Sequence, residues 1–242
     1  MCVKWLLNEY EMPMETTMYD NLLLLPLFQG LSKNDFTTIL EKVRFHFLTF
    51  QEGETFIRQG ETCQQLCFLL NGKAVARTMV EEPAYTLSET IDAPTIIEPQ
   101  SLFGMQPKYT ATYQAQTQVK VLTIDKSYIF SELNKHEIFQ LNFLNILSNR
   151  AQTANQKLWN AYVGSLNEKV IRFIALRSQN PIGGEKMLKI TMEDWANLID
   201  ETRINLSRLL NELQDKGLIQ LKRREFFIPD FEKLTNYLIE HD

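Results

Sequence analysis

Cysteine, histidine and long apolar runs are all scarce in this chain, and each scarcity removes a class of function. Three cysteines, Cys2, Cys63 and Cys67, stand among 242 residues. They cannot frame a fold of this size with disulfides, so the reducing cytoplasm is the expected compartment. Cys63 and Cys67 are four positions apart, but no further cysteine or nearby histidine completes a metal set, and both read as buried free thiols. His46, His136 and His241 have no convergent cysteine or carboxylate set. No Gly-x-Ser-x-Gly, His-Glu-x-x-His or Walker loop occurs, and Gly183-Gly184 lacks the Lys-Ser/Thr of a phosphate loop. The expectation is a protein that is not an enzyme and holds no metal or cofactor. No apolar run reaches the roughly 18 residues of a membrane-spanning helix, so no membrane partner is expected.

What is present suits a globular chain of one large or two ordinary domains: 44% hydrophobic and 23% charged residues are ample for a buried core. The net charge of −5 argues mildly against nucleic acid as a partner of the whole surface. The charge is uneven, however. Between Arg203 and Arg224 lie Arg203, Arg208, Lys216, Lys222, Arg223 and Arg224 against only Glu212 and Asp215. Neutralising phosphates needs only such a local patch.

That patch sits in an ordered pattern. From Ile190 to Ile219 the sequence predicts two helices joined by a tight corner. Trp195, Leu198 and Ile199 form the apolar stripe of the first, which Thr191 can cap with Asp194 three residues on. Asp200-Glu201 falls in the corner, and Thr202 can cap the second helix. Leu206, Leu209, Leu210 and Leu213 form the second apolar face, which leaves Arg203, Asn205, Ser207 and Arg208 off it, towards the N-terminal half. Lys216-Gly217 ends the helix. Leu218–Leu221 and Phe226–Ile228 read as strands around the basic turn Lys222-Arg223-Arg224. This is a helix-turn-helix with a wing, and arginines near the start of its second helix suit guanine in the major groove.

Here the chain resembles the DNA-binding half of the Crp/Fnr superfamily of bacterial transcription regulators. That family's recognition helix runs Ser-Arg-Glu-Thr-Val-Ser-Arg and later reaches Gly-Leu-Ile. The matching positions are Thr202-Arg203-Ile204-Asn205-Leu206-Ser207-Arg208 and Gly217-Leu218-Ile219. Both arginines match. Ile204 replaces the glutamate, so the cytosine contact does not carry over; packing on a thymine methyl and a different target sequence are expected. The resemblance implies that Arg203 and Arg208 read bases, while Thr202, Asn205, Lys222, Arg223 and Arg224 hold phosphates. The iron–sulfur members' N-terminal cysteine cluster is absent.

Earlier in the chain, short alternating strands are divided by Gln51-Glu52-Gly53, Gln59-Gly60-Glu61 and Asn71-Gly72-Lys73, which indicates an antiparallel barrel or sandwich. Phe45, Phe47 and Thr49 share one face of the first strand, and Asn71-Gly72 reads as a hairpin. Phe50, Gly53, Glu54, Ile57, Gln59-Gly60-Glu61, Leu66, Phe68, Leu69 and Gly72 together resemble the cyclic-nucleotide-binding β-roll. The resemblance implies a ligand segment between about Ile96 and Val121, where cyclic-AMP binders carry Gly-Glu and then Arg-Ser/Thr-Ala. Glu98 can stand in for that glutamate, but Pro99 follows it and no glycine precedes it. Aligning Thr110-Ala111 with Ser/Thr-Ala puts Tyr109 where the arginine belongs. A phosphate there lacks its counter-charge, and losing one charge-assisted contact of ~1.5–3 kcal/mol weakens binding about ten- to a hundredfold. Cyclic AMP is therefore not expected to bind. Phe103, Tyr109 and Tyr113 either line a pocket for some other, more apolar effector or simply fill the barrel.

From about Lys135 a long helix is expected, with Leu144, Leu147, Ala151, Ala154, Leu158 and Ala161 spaced as a heptad seam. The resemblance makes it a dimer axis, and Ala154 and Asn155 fall where cyclic-AMP binders reach the nucleotide base. The expected fold is α+β: a leader over 1–18, a β-roll sensor over 19–134, a dimerisation helix over 135–163 and a winged helix-turn-helix over 164–242. The reading is a homodimeric regulator of a palindromic DNA site, with RNA polymerase and an unknown small-molecule effector as further partners. A cyclic-nucleotide receptor, or an effector-free regulator or interaction module, is the alternative.

Overall fold

The computed structural model describes Leu22, residues 25–159 and residues 164–241. The expected leader, Cys2, Ala161 and the side chain of Leu158 lie outside the described residues.

Helix α1 (Lys33–Lys42) opens with Ser32, whose Oγ accepts the Asp35 N–H at 3.1 Å. It turns Phe36 and Ile39 into the first apolar core. Eight strands follow: β1 (Phe45–Phe50), β2 (Thr55–Ile57), β3 (Gln65–Asn71), β4 (Lys73–Val80), β5 (Tyr85–Asp92), β6 (Thr95–Ile97), β7 (Thr112–Ala115) and β8 (Val119–Asp125). All pairings are antiparallel. One sheet has the order β1-β8-β3-β6, and the second contains β5-β4-β7-β2. Val121 of β8 is buried on one face of its sheet, while Phe68 and Leu122, paired across β3 and β8, are buried on the other, where Phe68 meets Phe28 at 5.8 Å. This is the β-roll.

Two local expectations are corrected. Asn71-Gly72 does not close a hairpin, because β3 and β4 belong to different sheets and the chain crosses between them here. Gly72 has φ +86°, and a Cβ on it would lie 2.4 Å from the Gln118 carbonyl oxygen. The glycine therefore serves a corner with close backbone approach. The true hairpin joins β4 to β5 through Glu81–Ala84. Phe47 is 46% exposed, because β1 is an edge strand and Phe47 lies on its open side.

Helix α2 (Lys126–Ser131) leads to the long helix α3 (Glu137–Trp159), which begins just past the expected Lys135. Phe139 and Phe143 pin α3 to the roll, with ring centroids 6.0 Å apart between Phe143 and Phe103. Gly164 then leads into α4 (Leu166–Arg177), capped by Ser165. Next come β9 (Lys186–Lys189), α5 (Met192–Leu198), α6 (Arg203–Asp215), β10 (Gln220–Lys222), β11 (Glu225–Ile228) and α7 (Phe231–Glu240). A second core is built around Trp195, whose ring meets Phe226 at 4.9 Å and Phe173 at 5.7 Å. Leu206, Leu210, Leu213, Leu234 and Leu238 complete it.

The two halves share a sheet. β9 pairs with β11 on one side and with β5 of the roll on the other, in the register Leu87↔Leu188 and Glu89↔Lys186. The second sheet thus runs β10-β11-β9-β5-β4-β7-β2 across both units.

Candidate nucleic-acid interface and ligand cradle

The helix pair is built by its caps. Thr191 Oγ1 accepts the Asp194 N–H at 3.0 Å and starts α5; Thr202 Oγ1 accepts the Asn205 N–H at 3.2 Å and starts α6. Asp200, at φ +52°, makes the corner. Lys169 on α4 ties it down, donating to the Asp200 carbonyl at 3.0 Å and to Glu201 Oε1 at 2.9 Å. That bond holds the Glu201 carboxyl below its ordinary value of 4.5. At the far end Gly217, at φ +70°, lets the Leu218 N–H return to the Leu213 carbonyl.

Leu206, Leu210 and Leu213 face inward, so the opposite side of α6 is exposed. Thr202, Arg203, Asn205 and Arg208 are exposed, Ser207 is half-buried, and Ile204 is 70% exposed. Neither Arg203 nor Arg208 takes part in an ion pair among the described residues. Lys222, Arg223 and Arg224 are exposed on the turn between β10 and β11. The turn proper is Arg223-Arg224, with Arg224 at φ +61°, while Lys222 pairs across the strands with Glu225. Arg223 and Arg224 also border a cleft of about 850 Å³ whose far wall is the β4–β5 hairpin, with Met79, Glu81 and Tyr85.

The junction between the halves holds a buried ion pair. Lys186 and Glu89 are buried, and Lys186 Nζ donates to Glu89 Oε2 at 2.6 Å and to the Asn180 carbonyl at 2.7 Å. Glu89 also accepts the backbone N–H groups of Gln179 and Asn180. Burial pushes the Lys186 ammonium down from its ordinary value, and Glu89 opposes that shift.

The candidate effector residues divide. Glu98 is 1% exposed and begins the turn Pro99–Ser101 from a left-handed backbone, φ +38°. Its Oε2 accepts from Ser101 Oγ at 2.8 Å and from the Thr110 N–H at 2.7 Å. Its Oε1 accepts from the Ala111 N–H and the Tyr113 hydroxyl, each at 3.1 Å. Burial, then the adjacent Glu98, raise the Tyr113 phenol well above its usual range, which keeps it a donor. A cavity of about 290 Å³ lies against Glu98, Tyr113 and Arg150 of α3. Arg150 Nη1 donates to Gln100 Oε1 at 2.5 Å.

Tyr109 and Phe103 are not part of that wall. The Tyr109 hydroxyl donates to the Gln65 carbonyl at 3.3 Å on another side of the roll, beside Cys63 and Cys67, and burial raises its phenol. Phe103 packs on Phe130 and Phe143 under α3. Asn155 is exposed on α3. The pocket is therefore more polar than the expected aromatic one. Cys63 and Cys67 are buried free thiols, with Cys67 raised by burial. Sequence reasoning missed Ser101, Arg150 and Gln179. Gln179 Nε2 donates to Thr110 Oγ1 at 2.8 Å from the C-terminal half, and no local motif marks that contact.

On α3, Leu144 is 60% exposed, Leu147 half-buried, and Ala151 and Ala154 exposed. Leu141, outside the expected seam, is 58% exposed beside them.

Comparison with known proteins bears on both halves. Residues 47–136 match the cyclic nucleotide-binding domain, and residues 168–237 match the Crp-like helix-turn-helix domain. The chain is similar to a Mycobacterium tuberculosis protein called CRP-like cAMP-activated global transcriptional regulator, 20% identical over 214 residues, covering 86% of this chain and 94% of that one. It is also 22% identical over 192 residues to the global nitrogen regulator of Synechocystis, covering 74% and 83%. Among solved structures, a putative Crp/Fnr regulator from Eubacterium rectale shares the fold, with a TM-score of 0.51 at 18% identity over 89% of this chain and 98% of that chain.

Proposed function

This chain is a transcription regulator of the Crp/Fnr type, a cyclic-nucleotide-binding domain joined to a Crp-like helix-turn-helix, and from that premise we propose that it acts as a homodimer on a palindromic operator, without cyclic AMP. The observation that carries the proposal is the face of α6. Its apolar side is buried in the second core, while Arg203, Ile204, Asn205 and Arg208 stand in solvent above the exposed wing. A short helix so presented fits the major groove.

In this reading Arg203 and Arg208 contact base edges and Ile204 packs on a thymine methyl. Thr202 and Asn205 at the start of α6, with Lys222, Arg223 and Arg224 on the wing, hold phosphates. A second copy packs on the exposed Leu144, Ala151 and Ala154 and the half-buried Leu147 of α3, which sets the two recognition helices one helical turn of DNA apart, ~34 Å. The promoter complex brings RNA polymerase as a further partner, in the cytoplasm. Two observations support the reading without cyclic AMP: Tyr109 stands at the aligned arginine position with its hydroxyl donating to Gln65, and Glu98 is already held by four donors of the chain itself.

Selection of bound duplexes from random sequences tests the proposal, and a palindromic consensus is the expected result. On that operator Arg208→Ala is expected to cost about 1–3 kcal/mol and to relax preference at one base position. Lys222→Ala is expected to weaken all duplexes alike and to lower the salt slope by about one. Equal losses for both variants on cognate and random DNA would refute this division of labour.

A further inference from the structure

Two consecutive backbone N–H groups, Thr110 and Ala111, and two hydroxyls, Ser101 and Tyr113, converge on one buried carboxylate. Successive N–H groups aimed at one point form an anion site. Here the anion belongs to the chain itself. We propose that Glu98 is a tethered ligand: its side chain fills the anion cradle of the sensor domain and takes the place of an external effector.

Three features support this. Both Glu98 oxygens act only as acceptors, two donors to each, so the carboxylate is satisfied without solvent. The backbone at Glu98 is left-handed, a conformation that costs a non-glycine residue free energy and persists where the surroundings hold it. Here the four donors hold it. The cradle is also connected outward. Arg150 of α3 lies on the wall of the same cavity, and Gln179 of the DNA-binding half donates to the Thr110 hydroxyl. A filled cradle therefore braces both the long helix and the junction. The class of ligand that can replace the tether is a small monocarboxylate, because the four donors are arranged around one carboxyl group.

This rests on the proposed regulator function, but its first test does not depend on DNA. Glu98→Gly removes the carboxylate and suits the left-handed backbone. The variant is expected to melt several degrees lower than the parent. Acetate at tens of millimolar is expected to restore the melting temperature, while chloride at matched ionic strength leaves it unchanged. On the selected operator, the variant is expected to bind about tenfold more weakly, and acetate is expected to recover that loss. The parent protein is expected to show no heat with cyclic AMP, inorganic phosphate or acetate in calorimetry. A folded Glu98→Gly variant indifferent to acetate would overturn the proposal. So would submillimolar binding of cyclic AMP or phosphate by the parent, a result that stands even if Glu98→Gly does not fold. Acetate rescue of melting in a protein that selects no duplex would support the tether and sink the regulator reading instead.

Discussion

At the scale of single residues, the caps and the corner decide where the recognition helix begins. Thr202 Oγ1 accepts the Asn205 N–H in the first turn of α6. Thr202→Ala is expected to lower stability by about 1 kcal/mol, seen as a lower denaturant midpoint with unchanged slope. Thr202→Ser keeps the oxygen and is expected to stay near the parent. These caps were legible because the cap is a local pattern: Thr191 with Asp194 and Thr202 with Asn205 lie three residues apart in both sequence and space. Glu98 was legible only as a candidate. Its partners are Ser101, 3 residues away, but also Tyr113, 15 residues away, and such convergence has no short-range signature.

At the scale of elements, α3 carries two faces with different fates. Phe139 and Phe143 are buried against the roll, while Leu141 and Leu144 are 58% and 60% exposed. Leucines left in solvent along a long helix suit the second copy proposed above, whose heptad seam they border. Leu144→Glu is expected to shift the protein from dimer to monomer by sedimentation, because two carboxylates then face each other across the axis. Secondary structure should be unchanged, and affinity for the palindromic operator should fall far more than affinity for a half-site. A variant that remains dimeric with full operator affinity would place the dimer contact elsewhere. The spacing of Leu144, Leu147, Ala151 and Ala154 was readable in the sequence. Leu141 was missed, because heptad counting does not reveal which neighbouring apolar residues the roll leaves uncovered.

At the scale of the whole molecule, the roll and the winged helix share one sheet, and a buried ion pair closes their seam. Lys186→Met leaves Glu89 buried without its counter-charge and is expected to destabilise by roughly 3–5 kcal/mol. The double variant Glu89→Leu/Lys186→Met restores charge balance and is expected to recover part of that loss, the remainder reflecting the Gln179 and Asn180 N–H groups left without their acceptor. If the single and double variants melt alike, the pair does not hold the seam. Because Gln179 and Asn180 of the DNA-binding half donate to Glu89, the single variant is also expected to loosen the tie between the halves, measurable as faster hydrogen exchange in β5 and β9.

The sequence by itself determined the elements and most of their chemistry. Hydrophobic period, cap residues and the local excess of arginine and lysine specified the helix-turn-helix, the wing and the long helix, since each depends on neighbours a few residues apart. It misjudged Asn71-Gly72, because a turn signal does not say which sheet the next strand joins. Only the tertiary structure decided that β9 pairs with β5, that Lys186 meets Glu89, and that Glu98 turns inward onto Thr110 and Ala111. Those are contacts between groups up to 97 residues apart, and they form where packed sheets exclude water and every buried charge must find its partner.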